Sequence, residues 1–167
     1  MRSTLPALTL ALLCACQPNF AQVGNPSDDT GADSGTGPGP SLYINEFMAS
    51  NTDLLFNEEA KNFTPDWIEL YNTTDEPISL LGMQITDDIE GEEHHVLGDL
   101  IIGPMGFLVL FADGDPEAGD KHLDFKLDVD GETIGLYDVD GQPLDRVEYT
   151  DMMSDMVGAR IPDGGPL

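Results

Sequence analysis

Asp66-Trp67-Ile68-Glu69-Leu70-Tyr71-Asn72 decides how this chain is read. Successive side chains of an extended strand point to opposite faces, which puts Trp67, Glu69 and Tyr71 on one side and Ile68, Leu70 and Asn72 on the other. Aromatic and β-branched residues favour a pleated, half-buried surface, and the run closes on the polar turn Asn72-Thr73-Thr74. A central strand is predicted here. Trp67, Ile68 and Leu70 are its core candidates, joined by Phe107, Val109 and Phe111 from the apolar run that starts at Gly106.

Upstream stands Leu42-Tyr43-Ile44-Asn45-Glu46-Phe47-Met48-Ala49-Ser50-Asn51, and downstream Ile78-Ser79-Leu80-Leu81-Gly82-Met83-Gln84-Ile85-Thr86-Asp87-Asp88. With the central strand between them, these motifs resemble the lamin tail domain, an immunoglobulin-like β-sandwich found in nuclear lamins and in many secreted bacterial proteins. Gly106 to Asp113, Phe125-Lys126-Leu127, Gly131 to Asp138 and Arg160-Ile161-Pro162-Asp163-Gly164 continue the likeness. The resemblance implies an all-β domain over residues 42–167 and leaves its role open, since one sandwich architecture carries many functions. Family members usually continue past the Arg-x-Pro-Asp-Gly motif into a further strand. The domain is therefore expected to lack its last strand and to carry an unpaired edge.

The patterning agrees with that class. From Leu42 onward, short apolar runs alternate with turn residues and show no helical period. Asp130-Gly131 and Asp140-Gly141 are hairpin signals, because glycine accepts positive φ at little cost and aspartate tolerates it. They bracket a strand at Thr133 to Tyr137, which should pair with Leu144 to Tyr149, with Leu123 to Leu127 lying before the first turn. Ile134, Leu136, Leu144 and Val147 are further core candidates. Residues 51–65 are expected to form an ordered loop with one helical turn.

The N-terminus reads differently. Arg2, the apolar run Leu5 to Leu13 and then Cys14-Ala15-Cys16 have the layout of a secretory signal, and the run is far shorter than the roughly 20 residues that cross a bilayer. Leu13, Ala15 and Cys16 resemble a bacterial lipobox, so residues 1–15 are expected to leave and Cys16 to carry lipid. Each buried methylene then adds about 0.8 kcal/mol of membrane affinity. By resemblance to lipoprotein sorting, Gln17 directs the chain to the outer membrane of a bacterial envelope; release as a secreted protein is the alternative. Residues 16–41 are rich in Pro, Gly, Ser, Thr, Asn and Asp, a disordered acidic tether with a span on the order of 25 to 30 Å. No cysteine remains for a disulfide, so the domain must rest on its core.

Charge narrows the partners. The chain holds 6 Lys plus Arg against 32 Asp plus Glu, a formal net charge of −26. Nucleic acid is excluded as an expected partner, because phosphate binding draws on Lys and Arg. A protein or a surface polymer is expected instead, with the membrane reached through the lipid.

Three acidic loops raise Ca2+ as the one cofactor to consider: Asp113 with Asp115, Asp128 with Asp130, and Asp138 with Asp140. None fits the EF-hand spacing, and Asp-Gly turn chemistry accounts for two of them without metal. His94 and His95 are adjacent and would face opposite ways on a strand, which disfavours a shared Zn2+. No G-x-S-x-G, HExxH or P-loop occurs. Asp66, Glu69, Asn45 and Glu46 are expected to bond strand ends, and Arg160 to pair with a carboxylate. The expected function is a non-catalytic, surface-anchored binding module, with a Ca2+-dependent adhesion module and then a carboxylate hydrolase as alternatives.

Overall fold

Among the described residues ten strands follow one another, with one short 3-10 turn at Pro116–Ala118. They are β1 (Leu42–Met48), β2 (Asp66–Asn72), β3 (Ile78–Ser79), β4 (Gln84–Thr86), β5 (His95–Val96), β6 (Ile101–Ile102), β7 (Phe107–Ala112), β8 (Thr133–Tyr137), β9 (Pro143–Glu148) and β10 (Gly158–Ala159). The structure is a computed structural model that describes residues 41–52 and 64–167. The signal segment, Cys16, the tether and most of the loop expected at 51–65 lie outside the described residues.

Two four-stranded sheets, ordered β10-β1-β2-β7 and β5-β4-β8-β9, face each other, and the β3-β6 ribbon accompanies them. All the strand pairs are antiparallel. The layer between them is apolar: Ile44, Ile68, Leu70 and Leu110 from the first sheet meet Ile85, Ile134, Leu136 and Val147 from the second, each at 0–1% exposure. Burial of this kind contributes roughly 25 cal/mol per Å² of apolar surface and is what holds a sandwich together. The fold is an immunoglobulin-like β-sandwich.

The central strand sits where alternation puts it. β2 pairs with β1 on one side and β7 on the other, and its Ile68 and Leu70 enter the core. Trp67 is buried as well, at 7% exposure, but on the outward face with Glu69 and Tyr71, between Met48 and Phe111. Its Nε1 donates no hydrogen bond.

β7 departs from expectation. Its core residues are Leu108, Leu110 and Ala112, whereas Phe107 is 47% exposed and Val109 and Phe111 are only half-buried. Leu110 lies opposite Ile68 and Leu108 opposite Leu70, so the register with β2 fixes the phase and turns the odd-numbered residues outward. In Phe-Leu-Val-Leu-Phe-Ala every residue is apolar, and the run itself carries no phase.

The β8-β9 hairpin spans Thr133 to Glu148 with Asp138 at its turn, where Oδ1 accepts the Asp140 N–H at 2.9 Å and the Gln142 N–H at 2.8 Å. Residues 123–127 form no strand; the segment around them meets β7 and its end through isolated bridges, Phe111 with His122 and Asp113 with Lys126. The Asp130-Gly131 turn therefore links a loop to β8. Gly131 has φ +111°, and a Cβ there would lie 2.6 Å from the Tyr149 carbonyl oxygen.

β1 bends at a bulge between Ile44 and Glu46, and this bulge organises the polar side of the sheet. Asp145 of β9 reaches across to accept the Ile44 N–H at 2.8 Å. Arg160 donates through Nη2 to both Asp145 oxygens at 2.9 and 3.1 Å, through Nε to the Ile44 carbonyl at 2.9 Å, and through Nη1 to the Gly165 carbonyl at 2.7 Å. The pair is about nine-tenths buried on both sides. Removing one partner of such a pair costs about 3–5 kcal/mol, because the other charge is left in a dry place. Asn45, 1% exposed, fills the bulge: Nδ2 donates to Glu69 and Asp163, and Oδ1 accepts the Gly164 N–H.

Candidate functional site

Immunoglobulin-type sandwiches gather their variable loops at the ends of the sheets, and such loops carry binding. At one end of this sandwich, where β1 runs out and β2 begins, an open cleft of about 620 Å³ lies against the segment that leads into β8. Asn51, Asp66, Lys126 and Asp128 supply its polar groups, with Leu127 and Val129 beside them.

Asn51, Asp66 and Asp128 are held by hydrogen bonds. Asp66 Oδ1 accepts the Asn51 N–H at 3.2 Å, and Asn51 Nδ2 donates to the Pro65 carbonyl at 2.9 Å. Burial raises the Asp66 carboxyl above the ordinary carboxylate range, with the Asn51 N–H and the Lys126 ammonium opposing that shift. Asp128 folds back on its own loop and accepts the Asp130 N–H at 2.9 Å. Behind it, the Tyr149 hydroxyl lies 2.9 Å from Glu132 Oε1 and 2.9 Å from the Asp128 carbonyl. Burial raises both Glu132 and Tyr149; the hydrogen bond from the Tyr149 hydroxyl opposes that shift at the Glu132 carboxyl, while the Glu132 carboxylate adds to it at the phenol. The result is a hydrogen-bonded cleft floor lined by one cation and two carboxylates, Lys126, Asp66 and Asp128, suited to polar ligands held by hydrogen bonds.

The six carboxylates considered for Ca2+ lie in three separate loops. Asp128 and Asp130 precede β8 and Asp138 and Asp140 follow it, so a five-residue strand of roughly 17 Å separates them. Asp113 and Asp115 follow β7, and Asp113 Oδ1 accepts the Asp115 N–H at 3.2 Å. In all three loops the first aspartate bonds a backbone N–H two residues on, which is turn chemistry. Among the described residues no group of three or more His, Cys, Asp or Glu is placed to hold a metal ion.

His94 and His95 diverge. His94 stacks on Tyr137 at 4.7 Å between ring centres, while His95 Nδ1 lies 3.2 Å from Asp124 Oδ1. Sequence reading missed a buried pair: His122, 5% exposed, has Nδ1 at 2.8 Å from Asp113 Oδ2. Its only sequence signal was a histidine among acidic neighbours. Glu46, expected to bond a strand end, has its carboxyl raised by burial and by the nearby carboxylates of Glu69 and Asp163. Arg160 meets the expected kind of partner, the Asp145 carboxylate.

The family model of the lamin tail domain matches residues 36–151, more than half of the chain. The match stops short of β10 and of Arg160, which complete the first sheet and its clamp. No curated protein matches the chain.

Proposed function

The chain belongs to the lamin tail domain family, and on that premise we propose that it is a recognition module, tethered to a bacterial envelope through lipid on Cys16, that binds a protein or surface polymer without chemistry of its own. The observation that carries this reading is the polar cleft at the end of the sandwich, lined by Asn51, Asp66 and Lys126. The composition ahead of residue 42, rich in Pro, Gly, Ser and Asp, supports it, since that composition suits a tether. A charge of −26 favours partners that bring cations and disfavours anionic ones.

Two experiments test the two halves of the proposal. Cys16→Ser should move the protein from the membrane fraction to the soluble fraction; unchanged membrane recovery would remove the lipid anchor. The soluble Cys16→Ser chain should then sediment with isolated bacterial envelopes, and Asp66→Asn combined with Lys126→Ala should release it. Sedimentation that ignores both cleft substitutions would move recognition elsewhere, and no sedimentation at all would sink the module reading.

A further inference from the structure

We propose that the exposed half of the β7 edge takes an extended, lysine- or arginine-rich segment of a partner protein as an added strand. The alternation of hydrogen bonds along β7 leads to this. Phe111 N–H donates to the Lys121 carbonyl at 2.8 Å, and Phe111 C=O accepts the Leu123 N–H at 2.8 Å, so the main-chain groups of Phe111 point away from β2. Gly106 C=O accepts the Asn72 N–H at 3.0 Å, so the even-numbered residues serve the β2 ladder. Phe107 and Val109 share the phase of Phe111, and their N–H and C=O groups face outward along the same edge. The 121–126 segment covers the edge at Phe111 and Asp113 and goes no further.

The side chains beside this open stretch are apolar. Phe107 stacks on Tyr71 at 4.5 Å between ring centres, and Met105, 55% exposed, lies against the Tyr71 hydroxyl. An added strand would find main-chain partners at Phe107 and Val109 and an apolar ledge for alternate side chains, the two parts of strand-addition recognition. Charge chooses the occupant. From Asp66 to Asp120 the sequence has no Lys or Arg, and Glu69 stands directly opposite Val109. A second copy of the chain would bring a charge of −26 against its like, whereas a cationic strand is drawn in. This inference goes beyond the cleft and depends neither on it nor on the anchor.

The probe is a synthetic peptide alternating lysine with valine, added to the full chain, with amide hydrogen exchange as the readout. Exchange at Phe107 and Val109 should slow by roughly tenfold or more, while a peptide of the same sequence with alternate backbone nitrogens methylated should leave it unchanged. Val109→Pro removes an outward N–H, which an edge strand tolerates, and should abolish the effect; Val109→Ala should keep it. Equal protection by the methylated peptide would reduce the interaction to charge attraction and overturn the proposal. So would protection confined to Asn51, Asp66 and Lys126, or protection without peptide that grows with protein concentration, the mark of a second copy. If Val109→Pro loses its cooperative melt, the comparison of the two peptides decides alone.

Discussion

The two halves of the β7 edge share one strand and one alternation and end in different states. At Phe111 and Asp113 the chain returns as residues 121–126 and takes up the outward main-chain groups, with the His122 ring 5.2 Å from Phe111 and its Nδ1 on Asp113. At Phe107 and Val109 no described segment returns, and Phe107 stands 47% exposed. What separates the halves is a loop and the buried Asp113–His122 contact that pins it. Edge pairing here is decided by side chains outside the strand.

The comparison can be broken from its strongest point downward. Leu110→Pro removes an N–H that serves β2 from a fully buried position, and should cost about 3 kcal/mol or more, read as a lost or much lowered denaturation midpoint. His122→Ala strips the partner from Asp113, whose side chain is 2% exposed; a loss of about 1–3 kcal/mol is expected, with exchange at Phe111 rising toward that at Val109. If Phe111 stays protected, the loop is pinned by something other than the histidine. Val109→Pro should cost less than about 1 kcal/mol, the mildest proline change along the strand. A midpoint as low as that of Leu110→Pro would mean the edge is not open.

A pH titration separates the edge from the charge around it. Glu46, Asp66, Asp87 and Glu132 all have carboxyls raised mainly by burial, so the folded state holds their protons more tightly than the unfolded chain does. Their contribution is fully present below the unfolded pKa and is lost as pH rises through the raised folded values. Melting temperature should therefore climb as pH falls from neutral toward the carboxylate range. A melting temperature that falls steadily over that interval would refute the sign.

How much of this was legible in the sequence depended on contrast. In β2, Glu69 between Ile68 and Leu70 breaks the apolar run and states the phase outright. In β7 nothing breaks it, and only the register with β2 turns Phe107 and Val109 outward. The acidic turns were legible as turns, because an aspartate that accepts the N–H two residues on is a local arrangement. The Asp113–His122 pair was not, since the chain folds back across nine positions to make it. The cleft was not either, being assembled from Asn51, Asp66 and Lys126 on three separate segments. For Arg160, scarcity of cations announced that a carboxylate would be found; that it would be Asp145, on the opposite sheet, took the fold to show.

The bulge in β1 has a mechanical side. Tension on the residues before Leu42 enters the sandwich through β1, a strand flanked by β10 and β2 and held at Ile44 by the Asp145 carboxylate and the Arg160 guanidinium. Asp145 belongs to the other sheet, so the pull is shared across both layers before any strand can peel. We expect Asp145→Ala to lower the rupture force in single-molecule pulling from the N-terminus by more than it lowers the force when both ends of β8-β9 are pulled. Equal losses would make the clamp a matter of bulk stability. A sandwich pulled from its N-terminal side is loaded through its first strand, and here that strand is the one riveted to both walls.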